Sequence, residues 1–324
     1  MELGIIDYQY FLQRFRSYGA KKFLCVKVGT HSKYFKNKYN RKNRKEIIMK
    51  ITRFCFNDQT YTGIVVNDMV IPFNDKIMDE IDGSKFEEYS RNNKVPLDQI
   101  KYSKLIPNSS KIIAIGLNYL DHAKEADVKI PDSPLVFSKF SNSIIAHNDK
   151  IVWDNEITKQ VDFEAELAVI IKKEIKNCSE ENAMDAVLGY TCANDISARD
   201  LQFGDRQWVR GKSLDTFCPL GPWAVTADEI PDPHSLNITC KVNNKIMQQS
   251  NTKNMIFRID KLISFLSKHF TLYPSDIILT GTPAGVGTFR KPPIYLQDND
   301  EISVEIEGIG VLTNKCQVLN KSAE

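Results

Sequence analysis

A succession of short alternating and apolar runs, punctuated by Asn-Asp, Asn-Asn and glycine turns, sets the tightest limit on how this chain can fold. Residues 50–56, 61–66 and 69–73 alternate in polarity and are split by Asn57-Asp58 and Asn67-Asp68, the pattern of a small antiparallel meander. Further strand-like runs follow at 111–115, 162–171, 223–226, 236–242, 276–279 and 301–306. Asn243-Asn244 forms a hairpin turn, and Gly308 and Gly310 bend the last run. Helical spacing is confined to 179–187, with Ser179 as N-cap, to 255–270, and to a polar stretch over 75–101. Strands outnumber helices and do not alternate with them. The expected fold is therefore α+β and mostly β rather than a doubly wound sheet.

The 324 residues, 42% hydrophobic and 26% charged, suffice for one large domain and a smaller one. The expected division is a basic stretch over 1–48, a small N-terminal β domain with its linker over 49–105, and a catalytic domain over 106–320. A net charge of +2 argues against a whole-protein field that recruits nucleic acid. The distribution is uneven: residues 1–48 hold twelve Lys/Arg against three acids, a local +9 that leaves the remainder near −7. That basic stretch reads either as a disordered tail or as a mitochondrial presequence, with Glu2 and Asp7 weighing against the second. Seven cysteines without a CxxC pair read as reduced thiols. No apolar run approaches the ~20 residues of a membrane helix. The expectation is a soluble protein of the mitochondrial matrix or the cytoplasm, without nucleic-acid or membrane partners.

Four segments carry chemistry. In Val161-Asp-Phe-Glu-Ala-Glu-Leu-Ala-Val-Ile-Ile171, read as one strand, residues two apart share a face, so Asp162, Glu164 and Glu166 project together. Carboxylates that close repel, and a hard divalent cation offsets them. A solvated acidic face is the plainer alternative. Tyr190-Thr-Cys-Ala-Asn-Asp195 offers Asp195 as a third ligand, with Arg199 and Asp200 free to pair locally, and Lys212 further on is by itself an ordinary surface charge. In Gly116-Leu-Asn-Tyr-Leu-Asp121-His122-Ala-Lys-Glu125, Asp121 is placed to cap a helix on which His122 and Glu125 lie three apart. A carboxylate beside imidazole fixes its tautomer and raises its basicity, as an acid/base pair requires. A surface helix pair would read the same way. Leu279-Thr-Gly-Thr282-Pro-Ala-Gly-Val-Gly287 is a glycine-rich turn that lacks the ending of a phosphate-binding loop, although its amides can cradle a carboxylate. Serine-hydrolase, zincin and kinase signatures are missing.

Taken in order, Gly116-Leu-Asn-Tyr-x-x-His-Ala-x-Glu125, Asp162-Phe-Glu-Ala-Glu-Leu167, Asn194-Asp-Ile-Ser-Ala-Arg-Asp200, Gly211-Lys-Ser-x-Asp-Thr-Phe217 and Thr280-Gly-Thr-Pro-Ala-Gly-Val-Gly287 resemble the motifs of the fumarylacetoacetate hydrolase superfamily. The resemblance runs from about Met49 to Gln317. The stretches 215–222 and 287–293 are most similar to its domain-containing protein 2 subgroup. It implies a β-roll catalytic domain, often a homodimer, that binds Mg²⁺ (Mn²⁺ or Ca²⁺ as alternatives) through Glu164, Glu166 and Asp195. The same resemblance puts the acid/base dyad on His122 and Glu125, the catalytic lysine on Lys212, and substrate contacts on Gln202 and Thr282. Ser275 departs from the glycine usual in the family.

The implied substrate is a small 2-oxo acid. Metal chelation acidifies its C3 proton, Lys212 helps hold the enolate, and His122–Glu125 transfers the proton. Keto–enol tautomerisation of oxaloacetate is the leading expectation. Acylpyruvate C–C hydrolysis and oxaloacetate decarboxylation are alternatives on the same site, and a non-catalytic metal-binding scaffold is the alternative from another class.

Overall fold

The computed structural model describes residues 50–74 and 94–319; the basic stretch 1–48 and most of the polar stretch 75–101 lie outside them. In chain order the main elements are strands β1 (Lys50–Phe56), β2 (Gln59–Val66), β3 (Met69–Asn74) and β4 (Ile112–Gly116), then helix α1 (Leu120–Glu125). Next come β5 (Leu135–Lys139), β6 (Lys150–Asp154), β7 (Ala165–Ile171), helix α2 (Glu180–Ala183), β8 (Val187–Asn194), and helices α3 (Arg199–Gly204) and α4 (Val209–Lys212). The chain continues with β9 (Cys218–Thr226), β10 (Asn237–Val242), β11 (Lys245–Asn251), helix α5 (Ile259–His269), β12 (Ile277–Leu279), β13 (Glu301–Ile306) and β14 (Gly310–Leu319).

The architecture is mostly β. One large, mainly antiparallel sheet runs β3-β2-β1-β9-β8-β7-β12-β4-β5, and a second runs β11-β10-β13-β14-β6. The meander forms through Asn57-Asp58, both at positive φ, and Asn67, also at positive φ, conformations that Asn and Asp tolerate better than most residues. It does not stand apart: β1 pairs with β9 through Lys50↔Val225 and Ile51↔Ala224. Asn243 and Asn244 turn the β10–β11 hairpin at φ 49° and 64°.

Strand β7 is buried along its whole length because both faces are covered. Leu167, Val169 and Ile171 pack with Ile302, Val304 and Leu312 of the second sheet. Ala168 and Ile170 pack the other way, with Ile112, Ile277 and Leu279. Both cores meet on this strand, which fixes its register.

Some expected elements differ. The strand expected over 162–171 breaks: Val161–Asp162 pairs with Ser197–Ala198, and the chain re-enters the sheet only at Ala165. The helix expected over 255–270 begins at Ile259, because Asn118 takes the preceding backbone. Its carbonyl accepts from Ile256 N–H, and its side-chain oxygen from Phe257 N–H. Around Ser179 the helix is one turn followed by a 3₁₀ turn, and the Ser179 hydroxyl accepts from Asn182 rather than capping the backbone.

Candidate active site

Sheet pairing brings together acids that are thirty residues apart. Ala165 lies opposite Asn194, so the residues just before β7 and just after β8 are neighbours. Asn194 accepts from Glu164 N–H at 2.9 Å, and the Glu164 carbonyl accepts from Asp195 N–H at 2.9 Å. Carboxylate oxygens of Glu164, Glu166 and Asp195 all come within 4.8 Å of one another, and all three residues are buried. Asp162 does not join them. Its carboxylate accepts from the Gly287 and Thr288 amides and from Arg199 Nε, because the strand break turns it to the far side.

Three cations are buried against this cluster. Lys212, at the end of α4 and 1% exposed, donates to Glu164 Oε2 and Asp195 Oδ2, both at 2.7 Å. Lys139, at the end of β5, reaches Asp195 Oδ1 at 2.6 Å and also donates to the Lys212 carbonyl. Arg199 opens α3 and lies 2.8 Å from Glu164 Oε1. It pairs with Asp162 rather than with Asp200, which instead accepts from the Thr158 hydroxyl.

The balance is uneven across the cluster. Burial raises the Glu164 carboxyl, but Lys212 and Arg199 outweigh burial and bring it down to about 2. Glu166 is pushed well above its ordinary value by burial and then by Asp195 and Glu164. Gly281 N–H, donating at 2.6 Å, does not offset them. Three converging hard oxygens, with Glu166 facing the like charges of Asp195 and Glu164, are a donor set that fits a hard divalent cation.

On the far wall, His122 Nδ1 sits 3.1 Å from Glu125 Oε2, and Glu125 Oε1 accepts from Gly285 N–H at 2.9 Å. Tyr119, not Asp121, holds the N-cap position of α1. Asp121 lies in the first turn, where its carboxylate accepts from His122 N–H and the Ser250 hydroxyl. Gln202 accepts from Arg199 at 2.9 Å. Thr282 donates to the Ala165 carbonyl at 2.9 Å and accepts from Gln248 at 2.8 Å.

His122, Gln202, Lys212, Thr282, Glu164 and Glu166 all line one cleft of about 260 Å³. Asp195 lies beneath it, bonded to Lys212, and Glu125 lies behind His122. A larger groove of about 730 Å³ runs along 109–113 and 136–142, but none of the three carboxylates lines it.

Two contributors escaped sequence reasoning. Lys139 is in phase with Leu135 and Phe137 on a strand, and a lysine at an apolar-phase position is the signal that marks it. Gln248 accepts from Ala165 N–H and donates to Thr282 and the Pro283 carbonyl, contacts that no local motif foretells.

The chain belongs to the fumarylacetoacetate hydrolase family: residues 111–317 match its model, described as fumarylacetoacetate (FAA) hydrolase C-terminal. It is an enzyme of that family. Among named relatives, it is 49% identical over 222 residues to oxaloacetate tautomerase Fahd2a, mitochondrial, of Rattus norvegicus, covering 68% of this chain and 71% of the relative. It is 48% identical to an uncharacterised protein of Archaeoglobus fulgidus, covering 72% and 88%. Among solved structures it resembles a fumarylacetoacetate hydrolase of Exiguobacterium antarcticum at TM-score 0.74 and 35% identity, covering 84% of this chain and all of that one. A 5-carboxymethyl-2-hydroxymuconate delta-isomerase of Mycobacterium smegmatis superposes at TM-score 0.72 and 34% identity, with the same coverage.

Proposed function

We propose that this chain is a divalent-cation-dependent tautomerase of oxaloacetate, with Glu164, Glu166 and Asp195 as ligands of Mg²⁺ or Mn²⁺. The observation that carries this reading is the identity of almost half with relatives named oxaloacetate tautomerase. A bound cation supplies Lewis acidity toward a 2-oxo acid, which makes its C3 proton labile. His122 then moves that proton at C3, with Glu125 orienting the ring and Gly285 holding Glu125. Lys212 offsets charge developing on the 2-oxo oxygen, and Gln202 and Thr282 contact the substrate. Residence in mitochondria is proposed on the names of the same relatives, and a homodimer on the family resemblance.

The test follows decay of the oxaloacetate enol by ultraviolet absorbance with Mg²⁺ and then with excess EDTA, recording pyruvate release in parallel. Metal-dependent enol loss without pyruvate is expected. Pyruvate appearing in step would indicate decarboxylation, and no effect on the enol would direct attention to acylpyruvate hydrolysis.

A further inference from the structure

The cleft has two chemically distinct halves. Its floor holds the carboxylates, Lys212, Arg199, His122 and Gln202, whereas its outer wall is apolar, built from Phe137, Trp208, Phe203, Phe289, Leu135 and Val128. Several of these are well exposed, Phe203 to 59% and Val128 to 48%. Apolar side chains held open at the mouth of a polar site mark a surface awaiting an apolar group.

The wall is already built. Trp208 lies against Gly116, where an added Cβ would come within 2.7 Å of its ring. Its ring meets Phe137 edge-on at 5.2 Å. Phe137 in turn lies beneath the Lys212 ammonium, 5.1 Å from the ring centre, so the aromatic wall begins where the polar floor ends.

Charge points the same way. The lysine and arginine lining the cleft, Lys212 and Arg199, both lie against Glu164. Among the described lining residues the outer wall has no further lysine or arginine to receive the distal carboxylate of a four-carbon dianion.

Building on the tautomerase reading above, we infer that this enzyme also interconverts the keto and enol forms of 2-oxo acids with a flat apolar group at C3, the arylpyruvates. The C3–H bond breaks and its proton passes to His122 as the C2=C3 bond forms; His122 then gives a proton to O2, which completes the enol and restores the ring. No other reactant is consumed. The ring of such a substrate rests on Trp208 and Phe203 while its 2-oxo acid end occupies the floor.

Phenylpyruvate enol decay, followed with Mg²⁺ beside oxaloacetate on one preparation, tests this. The expectation is acceleration of both above the protein-free rate. Phe203→Ala should lower kcat/KM for phenylpyruvate about tenfold more than for oxaloacetate, the scale of one aromatic contact. Phe203→Lys should shift the ratio further toward oxaloacetate. Because Phe203 is exposed and each variant is read as a ratio, a general loss of folded protein cancels. Turnover of oxaloacetate without phenylpyruvate would overturn the inference and leave the tautomerase reading standing. Failure of both would remove the two together. An unchanged ratio in both variants would show that the wall does not select.

Discussion

Gly285 N–H donates to Glu125 Oε1 at 2.9 Å, which ties the acid/base pair to the glycine-rich loop. Arg290 holds that loop from behind, donating to the Gly285 and Met247 carbonyls. Phe289 rests against the His122 ring at 5.8 Å. Glu125→Ala should lower kcat for enol conversion by about 10²- to 10⁴-fold, the range of a lost general acid–base function. Arg290→Met should lower kcat less, near tenfold, with KM little changed, since it acts only through Gly285. Steady-state kinetics of the two variants decide this, and a KM effect alone in Arg290→Met would refute the linkage.

Stability should depend on pH in a way that metal changes. The Glu166 carboxyl lies well above its ordinary 4.5, so between those values the folded chain holds a proton that the unfolded chain has lost. Its stabilising contribution is complete below about 4.5 and disappears as pH rises through the raised value. Glu164, held near 2, works oppositely: its contribution is present above about 4.5 and is lost as pH falls toward 2. In EDTA the Tm should therefore decline on the alkaline side, and Mg²⁺ should flatten the decline. Glu166→Gln should also remove it, raising the metal-free Tm at pH 8 while abolishing the response to Mg²⁺. Thermal scans across pH with and without chelator are the check.

Lys139 supplies a buried counter-charge to Asp195. Replacing it with methionine should cost about 3–5 kcal/mol in the metal-free protein, because one partner of a buried ion pair is left uncompensated. Urea unfolding in EDTA measures this. A cost below 1 kcal/mol would mean that Lys212 alone balances Asp195.

Ser275 occupies the left-handed region at φ 68°, and its buried hydroxyl lacks a hydrogen-bond partner. Ser275→Gly should stabilise the protein by about 1 kcal/mol by relieving backbone strain. Activity should be unaffected, since the turn from Tyr273 to Asp276 is remote from the cleft. A lower Tm would show that the hydroxyl serves an unrecognised purpose.

How much of this could be read in advance depends on the range of the interaction. Turn chemistry is local, so the meander and the Asn243-Asn244 hairpin were legible from alternation and Asn placement alone. The α+β, mostly-β class followed from strands that outnumber helices. Glu164 and Glu166 were legible as a pair because they lie two apart, whereas Asp195 was only a candidate third ligand that the family resemblance joined to them, since the strand Val187–Asn194 that delivers it was not among the expected runs. Asp162 was misplaced beside them, since the break at Phe163-Glu164 depends on contacts with Asn194 and the Gly287 loop. The early start expected for α5 failed for the same reason: Asn118, some 140 residues away, claims the backbone that periodicity gave to a helix. Lys139 and Gln248 act across the sheet, and no spacing along the chain encodes such partners.

The β1–β9 ladder, only two residue pairs long, has a bearing on how the protein can be trimmed or fused. β9 carries on its far flank the strand from which Asp195 emerges. Cutting away the meander would bare the edge of β9 at Ala224 and Val225, while Ile144 and Ile145 still pair with Cys218 and Pro219, and that bared segment is an invitation to pair with another copy. The first three strands thus act as a selvedge: they finish a fabric whose pattern lies several threads further in.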